Sequence, residues 1–280
     1  AMSNLTCGLY GYMGAKGADA ENYSEMFRRI NQNGEKITRF VDTNFGAGNI
    51  IAAACDYEER VSNDINKDIA LLAKMISSAE TRAQVLDILL GMEVSSEVYK
   101  MCKDALKSRE DIPDIKKAAY IWYLSEYSFN GNSRNFSSNH RVDRLFHKIQ
   151  KLSAFDGVEI LKMDMVDLLE QEKKNPARME KTMYYLDPPY LDNNARYAHN
   201  MTSEADHKRL LEVMKDIPNI MISGYDSELY DNILCKEYGF HKYSMGDKWI
   251  SMNAVSLGSI RKQKTEYVWT SYEVRGPYQQ

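Results

Sequence analysis

The sequence predicts an α/β enzyme whose sheet domain is interrupted by an inserted helical domain. Apolar runs of strand length recur, a glycine-rich turn joins one of them to a helix, and helical periodicity dominates the middle of the chain. With 280 residues, 44% apolar and 27% charged, the chain can bury a sizeable core. We expect residues 2–68 and 155–280 to form the sheet domain, and residues 69–154 to form the inserted domain.

Composition favours a cytoplasmic protein without a membrane anchor or a metal centre. The chain from Met2 onward shows no secretory pattern, and no apolar run approaches the roughly 20 residues that cross a bilayer. The cysteines lie far apart and form no C-x-x-C pair, so neither a zinc site nor a disulfide framework is expected. They are Cys7, Cys55, Cys102 and Cys235.

The first glycine-rich stretch, residues 10–17, carries three glycines and two aromatic residues ahead of a helix that starts near Asp19 or Ala20. Glycines allow a backbone to approach a ligand closely. A plain glycine-rich loop explains the pattern equally well, since short glycine motifs are weak evidence.

A strand, a glycine turn and a helix then follow one another. The strand over residues 37–42 ends in Asp42, and the helix covers residues 50–55. A second strand over residues 61–64 ends in Asp64, at the spacing of roughly 20 residues at which nucleotide-binding folds place a ribose-binding acid. This unit suits a dinucleotide or an adenosyl cofactor, and the stretch alone does not choose between them.

Helical periodicity extends from residue 65 to residue 152. Its clearest runs are residues 68–75, 81–92 and 97–106. Residues 118–129 are rich in Tyr, Trp and Leu, which is more typical of a buried helix than of a ligand site. They lead into a polar and basic turn over residues 129–134.

A basic cluster stands out in this otherwise acidic chain, whose net charge is −4. Its members are Arg134, Arg141, Arg144, Lys148 and Lys151, with Asp143 as the acidic residue among them. The last four follow helical spacing, with apolar residues on the opposite side. Such a face attracts phosphate backbones, but it is also how an amphipathic helix meets water. We favour the first interpretation.

Strand patterns return after the helical segment. A strand over residues 158–164 closes with Asp164, and the next strand ends at Asp187. Further predicted elements are a helix over residues 202–214 and strands over residues 219–223 and 266–270, the last pairing antiparallel.

The string Asp187-Pro188-Pro189-Tyr190 ends its apolar strand with an acceptor, two rigid residues and an aromatic ring. Proline after a strand is ordinary turn chemistry. The full string nevertheless has a chance expectation of roughly one in a thousand at average composition, which favours a functional interpretation.

With this string placed after a glycine turn and ahead of the strand that contains Ser223, the chain resembles the Dam-like adenine-N6 DNA methyltransferases. The resemblance implies a Rossmann-like sheet with S-adenosylmethionine as the cofactor. The stretch from Tyr12 to Lys16 is similar to the N-terminal cofactor motif of the family. The implied cofactor-binding residues are Tyr12, Gly14, Lys16, Asp42, Phe45, Gly46, Gly48, Asp64, Asp164 and Met165.

The resemblance also implies the catalytic and DNA-binding residues. Asp187, Pro188, Pro189 and Tyr190 match the catalytic motif, and Phe129-Asn130-Gly131 is similar to the turn before the DNA-recognition segment of the family. The implied DNA contacts are Asn130, Arg134, Arg141, Arg144 and Lys148. We expect a monomer without a metal that acts on adenine in DNA, as in restriction and modification systems.

Two features depart from the family pattern. Thr43 and Asn44 stand where the family usually has Pro-Phe, and the segment between Gly131 and Leu152 is shorter than in most members. Three alternatives stay open: a methyltransferase acting on RNA or a protein amide, a non-catalytic nucleic-acid-binding relic, and a nicotinamide dehydrogenase. The dehydrogenase would leave the Asp187 to Tyr190 string without a role.

Overall fold

A computed structural model describes residues 20–31, 36–108, 111–128, 136, 149–189, 203–252 and 260–274. Its strands are β1 (Arg39–Asp42), β2 (Glu59–Asn63), β3 (Glu159–Leu161), β4 (Thr182–Leu186), β5 (Ile220–Tyr225), β6 (His241–Met252) and β7 (Ile260–Thr270). They form a seven-stranded sheet in the order β3-β2-β1-β4-β5-β7-β6.

Pairing within the sheet is mixed. The pairs β1–β4, β4–β5 and β2–β3 are parallel, whereas β7 pairs antiparallel with both β5 and β6. The α/β class is confirmed, and so is the antiparallel pairing of the strand predicted over residues 266–270.

The helices in the described part of the chain fall mainly where periodicity predicts them. They are α1 (Ala20–Asn31), α2 (Asn49–Ala53), α3 (Lys67–Ile76), α4 (Ala79–Leu90), α5 (Ser96–Lys107), α6 (Asp114–Glu126), α7 (Met165–Glu172), α8 (Pro176–Met179), α9 (Glu204–Met214) and α10 (Glu228–Tyr230). A 3₁₀ turn covers Leu152–Phe155, and a π-helix covers Asp231–Glu237 directly after α10.

Backbone packing divides the chain into two compact units. The first comprises residues 1–24 and 45–162, and the second comprises residues 25–44 and 163–280. This division groups β2 and β3 with the helical segment. The domain boundaries that the sequence predicts near residues 68 and 154 stay a prediction.

The first unit has its core along α6. Every residue from Ala118 to Glu126 in this helix is buried, including the fully buried Trp122 and Tyr123. The aromatic stretch that the sequence predicts to be buried is therefore part of the core.

Helix α3 begins at a side-chain cap. The Asn66 side chain accepts hydrogen bonds from the first-turn amides of Asp68 and Ile69, and such caps satisfy donors that the start of a helix leaves open.

The second unit is built around β4, which is buried at every position. The apolar run that predicts this strand is continuous because both of its faces are covered. The ring of Phe27 on α1 lies 4.8 Å from that of Phe40 on β1 and 5.9 Å from that of Tyr185 on β4.

A buried ionic cluster lies beside Tyr184 in this unit. Glu172 accepts hydrogen bonds from the guanidinium of Arg39, from Arg178 Nη2 at 2.5 Å and from the Tyr184 hydroxyl at 2.8 Å. Glu172 is 4% exposed and Arg39 is 7% exposed. Both charges are thus taken out of water and neutralise each other.

The clearest differences between the sequence prediction and the structure concern two strands, β3 and β6. The strand predicted over residues 158–164 ends at Leu161, because the Asp164 side chain caps α7 and turns the chain into that helix. Strand β6 has no counterpart in the sequence prediction. Its pattern is interrupted at Gly246, which has φ 88° and lies in a register shift between Ser244 and Asp247, and an extra residue of this kind breaks the alternation that identifies a strand.

Candidate active site

The glycine turn that follows β1 in the chain belongs to the first unit and contains two glycines with positive φ angles. Gly46 has φ 56° and Gly48 has φ 84°, conformations that side chains disfavour. A Cβ atom at Gly48 would lie 2.5 Å from Cε1 of Phe155 and 2.9 Å from the ring of Phe45. Glycine at position 48 is therefore required by both conformation and packing.

Asp64, directly after β2, is hydrogen-bonded to this turn. Its Oδ2 accepts a hydrogen bond from the Gly46 amide at 3.1 Å, and its Oδ1 accepts one from the Asn66 amide at 3.0 Å. The Phe45 amide donates to the Asn63 carbonyl at 2.7 Å, which adds a second tie. These hydrogen bonds hold the Asp64 carboxylate beside the glycine turn.

Asp42 lies at the carboxyl end of β1 in the second unit and is fully buried. Its Oδ1 accepts a hydrogen bond from the Asn44 amide at 3.2 Å. The Thr43 amide donates to the Tyr185 carbonyl at 3.1 Å, and the Thr43 hydroxyl donates to the Asn44 side-chain oxygen at 2.8 Å. The two residues that depart from the family pattern thus form a compact polar turn.

Asp164 and Met165 lie at the start of α7. Asp164 Oδ1 accepts hydrogen bonds from the amides of Val166 at 2.9 Å and Asp167 at 3.2 Å, and it lies 3.6 Å from Arg209 Nη2. Met165 is buried. The carboxylate therefore has a structural role as a helix cap beside the ligand-binding role that the family resemblance implies.

Asp187 follows β4 and lies next to β5 in the second unit. It is only partly buried, whereas Pro188 after it is buried. The Ser223 hydroxyl donates to Asp187 Oδ1 at 3.1 Å, and the same Ser223 oxygen lies 2.9 Å from the hydroxyl of Tyr185. The predicted catalytic carboxylate thus accepts a hydrogen bond from Ser223 on β5, whose oxygen is in turn paired with the Tyr185 hydroxyl on β4.

Tyr230 and His207 form a second buried pair in this unit. The Tyr230 hydroxyl lies 2.7 Å from His207 Nδ1, and the Tyr230 ring packs edge-on against Trp269 with centroids 5.1 Å apart. Burial raises the pKa of Tyr230 well above its ordinary value, and the negative charge of Asp187 raises it further. Tyr230 therefore stays a neutral phenol near the Asp187 carboxylate.

Several predicted site residues fall outside the described residues. They are Tyr12, Gly14, Lys16, Asn130, Arg134, Arg141, Arg144, Lys148 and Tyr190. Among those that are described, the structure joins Phe45, Gly46 and Gly48 to the region of Asp64 in the first unit. In the second unit it joins Asp187 to Ser223.

No local sequence pattern indicates the contacts around Asp187. The sequence predicts Ser223 only as part of a strand, and it does not predict the pairing of His207 with Tyr230. Within the described ranges, no group of three or more His, Cys, Asp or Glu side chains is arranged to hold a metal ion. Helices in the same part of the chain include none long and apolar enough to span a bilayer.

Comparison with known proteins identifies the family of the chain. A precorrin 8w decarboxylase from Methanobacterium thermoautotrophicum is similar at 10% sequence identity over 88% of each chain, with a TM-score of 0.35, a likeness too weak to support an argument. No curated protein sequence matches the chain. The family model for D12 class N6 adenine-specific DNA methyltransferases matches residues 12–248. The resemblance seen in the sequence is confirmed, and the chain belongs to this family of adenine-specific DNA methyltransferases.

Proposed function

We propose that this enzyme transfers a methyl group from S-adenosylmethionine to the exocyclic N6 amino group of an adenine that is flipped out of duplex DNA. One observation carries the proposal within this family. Asp187, at the carboxyl end of β4, is partly accessible and is held in place through Ser223. Ligands of open α/β sheets bind outside the carboxyl ends of the strands, and the location of this carboxylate at such an end supports the proposal.

The chemistry requires an acceptor for the amino group. Adenine N6 is a poor nucleophile because its lone pair is delocalised into the ring. Hydrogen bonds from the amino group to the Asp187 carboxylate and the Pro188 carbonyl favour the tetrahedral nitrogen that forms during attack, so they are stronger in the transition state than in the ground state. Pro188 and Pro189 fix φ near −65° and so limit the movement of both acceptors.

The step balances without a further reactant. N6 forms a bond to the methyl carbon while the carbon–sulfur bond breaks and its electron pair stays on sulfur. One N6 proton then leaves to Asp187 or to water. Bound S-adenosylmethionine supplies an already activated methyl group.

Asp64 and the glycine turn offer groups that fit the cofactor. The Asp64 carboxylate suits ribose hydroxyl groups. Gly46 is partly exposed and carries no side chain, and the buried Gly48 sets the turn that presents it. We assign Asp64 to the ribose and Asp164 to the adenine amino group of the cofactor, following the family resemblance. The other proposed cofactor-binding residues are Tyr12, Gly14, Lys16, Asp42, Phe45 and Met165.

Base flipping follows from the need to reach N6. An adenine inside a duplex cannot enter a protein site, and extruding it costs a few kcal/mol. In the proposal the Tyr190 ring stacks on the extruded base and offsets part of that cost.

The decisive experiment measures transfer of a tritiated methyl group to duplex DNA, single-stranded DNA, RNA and protein. We expect incorporation into DNA at adenine N6, and loss of that activity by about a thousandfold or more in Asp187→Ala, since several kcal/mol of transition-state stabilisation are removed. Cofactor binding, measured by calorimetry, should change little. Glu212→Ala, on the exposed face of α9, is the matched control and should retain activity.

The outcome of this panel also separates the alternatives. Preferred labelling of RNA or protein would identify that molecule, and not DNA, as the substrate. Absence of labelling with retained nucleic-acid binding would indicate a non-catalytic nucleic-acid-binding relic. Full activity in Asp187→Ala would refute the assignment of this carboxylate.

DNA contacts are proposed for the basic cluster and the Asn130 turn on the basis of charge and resemblance. Changing Arg141 and Arg144 together to Ala should weaken DNA binding and flatten the dependence of log K on log salt concentration by about 0.9 for each phosphate that the protein no longer neutralises. An unchanged slope would show that these arginines form an ordinary solvated face.

A further inference from the structure

We propose that Ser223 is a positioning residue for methyl transfer, and that it orients the Asp187 carboxylate as the middle member of a hydrogen-bond chain that starts at Tyr185. This inference rests on the proposed role of Asp187. It assigns a function to two buried side chains that make no direct contact with the substrate in the proposed reaction.

The register between β4 and β5 brings Tyr185, Asp187 and Ser223 together. The parallel pairing of β4 with β5 sets Tyr185 opposite Met221 and Leu186 opposite Ile222. The next position on each strand brings Asp187 beside Ser223. Asp187 is the first residue after the paired positions of β4, so its place beside Ser223 follows from the register of the sheet, and groups held by strands are placed more precisely than groups on loops.

Counting protons gives the chain a direction. An ionised carboxylate only accepts hydrogen bonds, so Ser223 uses its single hydroxyl proton on Asp187 Oδ1. The Tyr185 hydroxyl, 2.9 Å away, must then donate its own proton to the Ser223 oxygen. The order of donation is Tyr185 to Ser223 to Asp187, and each link polarises the next.

Burial makes the chain rigid. Tyr185 and Ser223 are both fully buried, and the Tyr185 ring is also packed against Phe27. The donor end is therefore enclosed by packed groups, while the acceptor end is partly accessible. A carboxylate can rotate about its Cβ–Cγ bond, and a fixed donor on Oδ1 restricts that rotation, which preorganises the group for the transition state.

The test is a double-mutant cycle of Ser223→Ala and Tyr185→Phe on methyl transfer to duplex DNA. We expect Ser223→Ala to lower kcat by about 10- to 100-fold, the range for a hydrogen bond to a charged group, with little change in the KM for the cofactor. Tyr185→Phe should lower kcat by less. In the Ser223→Ala background, Tyr185→Phe should have no further effect on kcat, because Tyr185 acts only through Ser223.

Additive losses of kcat, or an unchanged kcat in Ser223→Ala, would overturn the proposal. Tyr185→Phe keeps the ring that packs on Phe27, so it provides a result even if Ser223→Ala fails to fold. Tyr184→Phe is the matched control, because its hydroxyl bonds to Glu172 and not to Ser223. It should lower stability to denaturant and leave kcat unchanged.

Failure of this inference differs from failure of the proposed function. If Asp187→Ala retains activity, the proposed role of the carboxylate is wrong. If Asp187→Ala is inactive but Ser223→Ala is as active as the parent, only the positioning role of Ser223 is wrong.

Discussion

Two adjacent tyrosines on β4 are linked by hydrogen bonds to two carboxylates in different surroundings. The Tyr184 hydroxyl donates directly to Glu172, which also binds Arg39 and Arg178. The Tyr185 hydroxyl reaches Asp187 through Ser223. Successive strand residues point to opposite faces of the sheet, so one short strand serves both carboxylates.

The difference between the two carboxylates is their surroundings. The Glu172 side chain is 5% exposed and lies beside two guanidinium groups, so it is neutralised and enclosed. Asp187 is partly accessible and receives a hydrogen bond from a neutral hydroxyl. An enclosed and neutralised carboxylate contributes to stability, whereas an accessible one held at a strand end is available for chemistry.

The strongest test of this contrast is Glu172→Ala. It leaves the buried Arg39 guanidinium without its carboxylate, and breaking a buried ion pair in this way costs about 3–5 kcal/mol. We expect urea unfolding to show a loss of that size, with kcat for methyl transfer unchanged at a temperature where the variant is folded. Removing both charges, as Arg39→Met with Glu172→Met, should restore part of the stability. A large loss of kcat in the folded single variant would contradict the division of roles.

Tyr184→Phe should have a smaller effect. It removes one hydrogen bond to a carboxylate that keeps its arginine partners, which costs about 1–3 kcal/mol. Chemical denaturation measures the loss, and the methyl-transfer assay should show none. If Tyr184→Phe reduced kcat as much as Tyr185→Phe does, the two faces of β4 would not be separate in function.

The smallest effect is expected from pH. Burial alone would raise the pKa of Glu172, but the hydrogen bond and the charge of Arg39 outweigh it, and the net shift is downward. A lowered pKa in the folded state contributes stability above the unfolded pKa of about 4.3, and this contribution is lost as pH falls through the folded value.

The stability difference between the parent and Glu172→Gln should therefore stay constant above about pH 5 and shrink below about pH 4.3. Denaturation at a series of pH values measures it. A difference that grew as pH fell would mean that the Glu172 pKa is raised and not lowered.

The sequence predicted what depends on neighbouring residues. The apolar run before Asp187 predicted β4, and the glycines before Asn49 predicted the turn into α2. The pairing of Glu172 with Arg39 could not be predicted in this way, because the two residues lie 133 positions apart along the chain. Charged residues far apart form a pair only after the fold has brought them together.

The contact of Ser223 with Asp187 could not be predicted for the same reason. Its strand was predicted, but its bond to Asp187 spans 36 positions and depends on the register between β4 and β5. A shift of one residue would turn Ser223 to the other face of the sheet. Such a contact is a property of the pairing and not of either strand alone.

Gly48 has a consequence for the order in which the first unit folds. The space beside its Cα is filled by the ring of Phe155, which also lies 5.9 Å from the ring of Phe45. The whole helical segment separates the two aromatic residues in the chain, and contacts between distant positions form slowly because a long loop must close first. The glycine turn is therefore expected to reach its final packing late in folding, so slowing the collapse of the helices should also delay the appearance of cofactor binding.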